Sequence, residues 1–185
     1  MFHELWNGII NDLGEPLPED EQAYGELQEY LAKLALFSLR GCEQSPMMEE
    51  INGKTYVLDA NPMDIAWVRF DFDGDRGVLS YKNAQGEKKL PFGFGHNEFA
   101  KFPQEDYSDM IASVPEKGHM YDCAVSADWP EPCKLRLKVQ IIDKYFGNMS
   151  MEFGFKGDRV GIFMLKNAEA FLDEYQGYAN GKRMS

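Results

Sequence analysis

The sequence predicts a mainly β protein of the α+β class: an eight-stranded antiparallel meander that closes into a barrel or a strongly curled sheet, with an N-terminal helical arm and a short C-terminal helix. Three observations carry this. The run LRLKVQIID places Leu135, Leu137, Val139 and Ile141 at every second position, with Arg136, Lys138 and Gln140 between them. That is the period of a strand with one wet face. The run NMSMEFGF repeats the pattern with Met149, Met151, Phe153 and Phe155. The links are short and turn-like, as in Lys156-Gly157-Asp158 before RVGIFML, so neighbouring runs return antiparallel.

The arm is expected over residues 1–50, with the barrel-like domain over 51–185 and both in a single globular unit. Phe2, Leu5, Trp6, Ile9, Ile10 and Leu13 share one helical stripe that Gly14 ends. Pro16 and Pro18 separate it from a second helix, opened by Glu19, Asp20 and Glu21 and carrying Ala23, Leu27, Tyr30, Leu31 and Leu34 on one face. The first helix is too short to be stable alone. Its stripe is expected to dock on the sheet beside the second helix, with a second copy of the chain as the other candidate cover. Ser45-Pro46 then caps a single turn through Met47, Met48 and Glu49.

The strands follow in order: KTYVLDA, IAWVRFDF, GVLSYKN and EKKLPF, then YDCAVSADW, CKLRLKVQIID, GNMSMEFGF and RVGIFMLK. Asp73-Gly74 and Gln85-Gly86 supply tight turns. Between the two groups of four lies a long segment from Gly93 to His119 with no sustained period, read as a functional connection or a cover over one end of the sheet. Near the end, Asn167 can cap the helix AEAFLDEY, and Gly181-Lys182-Arg183 reads as a tail.

The chain has 185 residues and a formal charge of -12. Such a surface repels phosphate backbones and anionic lipid, so neither nucleic acid nor a membrane surface is an expected partner. Three cysteines, Cys42, Cys123 and Cys133, do not make a disulfide framework. A turn centred near Pro130 and Glu131 would set Cys123 opposite about Lys138 and Cys133 opposite about Asp128, which leaves them unbridged. No basic region followed by an apolar run opens the chain, so the expected location is cytoplasmic.

The runs LPFGFG (90–95), KVQIIDKYFGNMSMEFGFKGDRV (138–160) and FLDEYQGYANG (171–181), together with LPED, SPM and INGKTYVL, resemble the C-terminal accessory domain of bacterial serine hydrolases of the class C β-lactamase and penicillin-binding-protein type. The resemblance implies a β-rich, lipocalin-like barrel with a hydrolase domain as a natural partner. The parent enzymes carry Ser-x-x-Lys and Lys-Thr-Gly. Neither occurs here, and Tyr178-Ala179-Asn180 matches Tyr-x-Asn only in the tail. No catalytic residue is therefore assigned, and the resemblance implies a non-catalytic accessory or interaction domain.

Two further readings stay open. An eight-stranded barrel can hold one small ligand, which makes a lipocalin-like carrier of a small apolar molecule the alternative. Trp67 and Trp129 are its candidate walls, with Phe94 and His96 at the glycine-rich start of the long segment. Large Met and Phe side chains at inward positions favour a filled interior over a hollow one. The weaker alternative is an enzyme of unknown type that pairs His96 with Glu98 or Asp106 as acid and base. No cofactor is implied. No metal is expected either: His3, His96 and His119 lack ligand spacing. Asp71-Phe72-Asp73-Gly74-Asp75 opens like a calcium loop but has Arg76 and Lys82 where glycine and glutamate are needed.

Overall fold

The computed structural model describes residues 19–105, 118–143, 146–167 and 172–184. The expected first helix (2–13), Asp106 and the first half of the expected C-terminal helix (168–171) lie outside them. The chain divides into two units, 1–36 and 37–185. In the first, helix α1 (Glu21–Lys33) matches the expected second helix. Asp20 caps it by accepting from Ala23 N at 2.9 Å, and Lys33 sits in the last turn. Each charge stands at the helix end whose dipole it offsets.

The second unit holds a short helix, α2 (Met47–Ile51), and ten strands among the described residues. These are β1 (Thr55–Leu58), β2 (Trp67–Asp73), β3 (Arg76–Asn83), β4 (Gly86–Phe94), β5 (Glu98–Lys101), β6 (Asp122–Glu131), β7 (Lys134–Ile142), β8 (Phe146–Lys156), β9 (Arg159–Lys166) and β10 (Gly177–Arg183). All eight expected strands are present. Two more were not read from the sequence: β5 is only four residues long, and β10 lay in the stretch taken as a tail. The inward side of β10 is built from Ala179 and Gly181, which are small, so its alternation against Tyr178, Asn180 and Lys182 is invisible to a hydrophobicity pattern. A side chain at Gly181 would collide with Leu58, so only glycine lets β10 lie this close to β1.

Nine strands form a closed ring in the order β4-β3-β2-β1-β10-β9-β8-β7-β6. The ring closes through a short parallel pairing of β4 with β6, Gly93 opposite Ser126 and Phe94 opposite Ala127. The expected all-antiparallel meander is corrected at this seam. β4 stops at Gly95, which takes φ 73°, and the chain doubles back as β5 along the same edge of β6. The β6–β7 register also differs from expectation. The turn lies at Pro132-Cys133, with a shift between Asp128 and Glu131, so Cys123 faces Ile141. All three cysteines are free.

Inward positions are apolar all round: Val68 and Phe70, Leu79 and Tyr81, Leu90 and Phe92, Leu135 to Ile141, Met149 to Phe155. Phe70 and Phe153 meet edge to face at 4.9 Å between ring centres. In the nine-membered ring β2 and β8 are four strands apart one way and five the other, so this contact spans the lumen. At that level the interior is filled, as the side-chain volumes predict.

The expected C-terminal helix is not formed by its described part. Leu172 to Tyr175 make a turn, with Leu172 at φ 67° and Tyr175 N donating to Leu172 O at 3.0 Å. Both side chains are buried in the barrel core, and that burial bends the segment inward. Outside the barrel, residues 37–42 strap β6 and β7. Ser126 Oγ accepts from Leu39 N at 3.0 Å, Phe37 O accepts from Gln140 Nε2 at 2.7 Å, and Trp129 N donates to Cys42 O at 2.9 Å.

Candidate ligand-binding end of the barrel

The two ends of the barrel are finished differently. At one end the segment after β9 enters the barrel and places Tyr175 OH 2.8 Å from Tyr81 OH and 2.9 Å from Gln104 Oε1. Asn83 Nδ2 adds 3.3 Å contacts to both Tyr175 OH and Gln104. Phe102 packs edge-on to Tyr175 at 5.4 Å. Burial pushes the Tyr175 phenol above its ordinary value. Among the described residues, every buried polar side chain of this plug has a partner.

The other end carries α2. Met48 N bonds Ser45 O and Met47 N bonds Ser45 Oγ, so Ser45 starts the turn as expected. Asn52 ties α2 to the sheet, its Oδ1 accepting from Phe72 N at 3.0 Å. Ile51 is buried, and Met47, Met48 and Phe72 pack partly buried against the core. Beneath them lie Tyr56, Phe155 and Trp129, with ring centres 5.8 Å from Tyr56 to Phe155 and 6.5 Å from Trp129 to Phe155. Tyr56 is 0 % exposed and Trp129 2 %. Trp129 Nε1 has no hydrogen-bond partner among the described residues, and the Tyr56 hydroxyl has only the Arg183 guanidinium beside it, which donates and leaves the hydroxyl hydrogen without an acceptor. Burial raises the Tyr56 pKa, opposed by the charge of Arg183 across the β1–β10 pair. Two donors thus sit desolvated on either side of one phenylalanine, a costly arrangement unless something accepts from them.

Beside Phe72 a cleft of about 350 Å³ opens over Val78 and Pro91, rimmed by Arg76 and Glu98. His96 stands at that rim, about 36 % exposed. Its Nδ1 lies 3.0 Å from Phe94 O and its Nε2 2.9 Å from Glu98 Oε1. A carbonyl and a carboxylate can only accept, so both nitrogens are satisfied when both carry protons. The Glu98 hydrogen bond is the main cause of the raised His96 pKa. Arg76 Nε adds a second cation 3.1 Å from Glu98. His96 so held clips the β4–β5 reversal. Asp106, its other expected partner, is outside the described residues.

Of the four candidate site residues, three converge. Trp129 and Phe94 face inward with ring centres 6.4 Å and 6.3 Å from Phe72, and His96 lies two residues beyond Phe94. Trp67 does not join them. It shares the outward side of β2 with Arg69 and is half-buried at the strand's far end, opposite Lys82. Sequence reasoning missed Tyr56, Phe72 and the two methionines of α2. The alternation of Tyr56 with Leu58 was a usable signal for the first.

No family model matches the chain, and no curated protein matches it. Among solved structures it is similar to the fatty-acid-binding protein from Manduca sexta (10% identity, TM-score 0.44, covering 73% of this chain and 99% of that one). It is also similar to the Schistosoma mansoni fatty acid binding protein in complex with arachidonic acid (14%, 0.49, 75% and 98%). A third is the fatty acid-binding protein in brain tissue of Drosophila melanogaster (11%, 0.45, 71% and 98%). These findings overturn the resemblance to the accessory domain of β-lactamase-type hydrolases: the solved structures it is similar to are of another kind. At these identities the likeness is one of outline, and the closed barrel is read from its own strand pairing.

Proposed function

We propose that this protein binds a small apolar molecule carrying a hydrogen-bond acceptor, and that it does so at the α2 end of the barrel. The observation that carries the reading is two buried donors short of an acceptor, Trp129 Nε1 and the Tyr56 hydroxyl hydrogen, under a cover of methionines. A carbonyl, ether or carboxylate oxygen is the kind of group that each donor lacks. Methionine is suited to the cover because its unbranched chain repacks at little cost. The Phe70–Phe153 contact across the lumen limits depth, so the ligand is compact rather than a long chain threaded through the barrel.

Tryptophan fluorescence titrated with camphor, a compact ketone, and with laurate, a long-chain acid, tests this. Saturable quenching by camphor is expected, reduced at least tenfold in affinity by Trp129→Phe and by Tyr56→Phe. A wild-type response to neither probe, or a response that both variants retain, sinks the reading. The filled lumen favours a second reading, a non-catalytic interaction domain whose working surface is the outside of the barrel.

A further inference from the structure

The outer face of β8, β9 and β10 carries a trench that the interior site does not use. Three rungs of outward residues cross these strands. One is Glu152, Phe163 and Tyr178; the next is Gly154, Gly161 and Asn180; the third is Lys156, Arg159 and Lys182. The middle rung is the floor, continued to Lys134 on β7 by its pairing with Gly154. Two adjoining clefts of about 240 Å³ and 320 Å³ share Gly154, Gly161 and Asn180.

Neither floor glycine is demanded by the fold. A Cβ on Gly154 would have Gly161 O at 4.0 Å as its nearest neighbour, and one on Gly161 would have Asn180 Oδ1 at 3.8 Å. Both are ordinary contacts, and neither residue has a left-handed φ. Glycine inside a strand weakens it and marks places where something approaches the backbone closely.

The walls add independent observations. Phe163 and Tyr178 stack at 4.5 Å, and Tyr178 is 70 % exposed. On the opposite wall three cations stand directly side by side, which costs stability in the free protein. Among the described residues only Lys182 has an ion-pair partner, Asp158 at 3.2 Å. Asp59 lines the same cleft, and with Asp158 on Lys182 the wall still keeps a local excess of positive charge on a chain of formal charge -12.

We propose that the trench binds an extended peptide in which acidic residues alternate with apolar ones. An extended chain sends successive side chains to opposite sides. Laid across the glycines, it points acidic groups at Lys156, Arg159 and Lys182 and apolar groups at Phe163 and Tyr178, while its backbone rests on the bare floor. From β7 to β10 the trench crosses three strand spacings, about 14 Å, room for about four extended residues. A sugar chain fits less well, because the floor's backbone groups are used in the sheet and Asn180 and the Tyr178 hydroxyl are the uncharged polar side-chain groups lining it among the described residues.

Fluorescence anisotropy with a labelled peptide of alternating Glu and Phe, beside its Lys and Phe counterpart, tests this on the full chain. Binding of the acidic peptide alone is expected, weakening as salt rises. Gly161→Val should keep or raise the melting temperature yet weaken binding at least tenfold. Should that variant not fold, Gly154→Ser and the pair Lys156→Glu with Arg159→Glu decide, and each should weaken binding likewise. The proposal is overturned if the wild type ignores the peptide, if these variants bind it undiminished, if both glycine variants unfold, or if polygalacturonate binds there and the peptide does not. Camphor binding at the α2 end is unaffected by any of these changes, so the two sites fail separately.

Discussion

The barrel's two ends are made from the same kinds of residue and finished in opposite ways. Each buries a tyrosine hydroxyl. At the plugged end Tyr175 OH touches Tyr81, Gln104 and Asn83. At the α2 end the Trp129 indole N–H and the Tyr56 hydroxyl hydrogen find no acceptor among the described residues, Tyr56 having only the donating Arg183 guanidinium beside it. A satisfied network fixes one arrangement, whereas unsatisfied donors mark a place still short of a partner. The first is the structure's anchor and the second is its opening.

The sharpest way to break the comparison is to remove whole side chains from the anchor. Tyr175→Ala deletes a buried ring together with the centre of the network, and should cost about 3–5 kcal/mol in chemical denaturation. A loss below about 1 kcal/mol would mean that the segment after β9 merely rests on the barrel.

Deleting only hydroxyls sharpens it. Tyr175→Phe leaves Gln104 and Asn83 short of a partner and should cost about 1–3 kcal/mol. Tyr56→Phe removes a hydroxyl whose hydrogen has no acceptor among the described residues, and should cost less than about 1 kcal/mol. Equal costs at the two ends would erase the distinction drawn between them.

A pH titration separates the ends more gently. The Glu98 hydrogen bond raises the folded pKa of His96 at the α2 end. A raised pKa means that the folded state holds the proton more tightly. The contribution to stability is complete below the unfolded value of about 6.5, and it is lost as pH rises through the folded value. Wild type should therefore lose stability relative to His96→Gln over that interval, by an amount that salt reduces. Parallel pH curves for the two proteins would show that the His96–Glu98 contact does not form in solution.

The smallest effect is chemical. Burial pushes the Cys123 thiol up to about 12, while Cys42 and Cys133 are exposed. Native protein should react with a thiol reagent at two cysteines quickly and at the third only on unfolding. Three equal rates would contradict the closed barrel around β6.

The alternation of large side chains made the walls of this barrel legible in the sequence. LRLKVQIID and NMSMEFGF sit in register as antiparallel neighbours, with Leu135 opposite Phe153 and Leu137 opposite Met151. What closes the ring was not legible. β10 turns small residues inward, and the parallel β4–β6 seam joins segments far apart in the chain through two residue pairs. Phe94, His96 and Trp129 could be picked out as rare residues near turns, and they do gather at one end. Trp67 was grouped with Trp129 by residue type, although its parity on β2 already set it outside with Arg69 and Asp71. Tyr56 and Tyr175 look alike in sequence. Only the fold shows that one sits in a full network and that the other has no acceptor for its hydrogen among the described residues.

The most direct test of the α2 end as the binding site is an NMR titration with camphor that follows the Trp129 indole N–H, the Met47 and Met48 methyl groups and the Tyr175 ring. The account predicts that the indole signal moves downfield as it gains an acceptor, that both methyl groups shift with it, and that Tyr175 stays in place. An unmoved indole, or shifts centred on Tyr175 and Phe102, would contradict it.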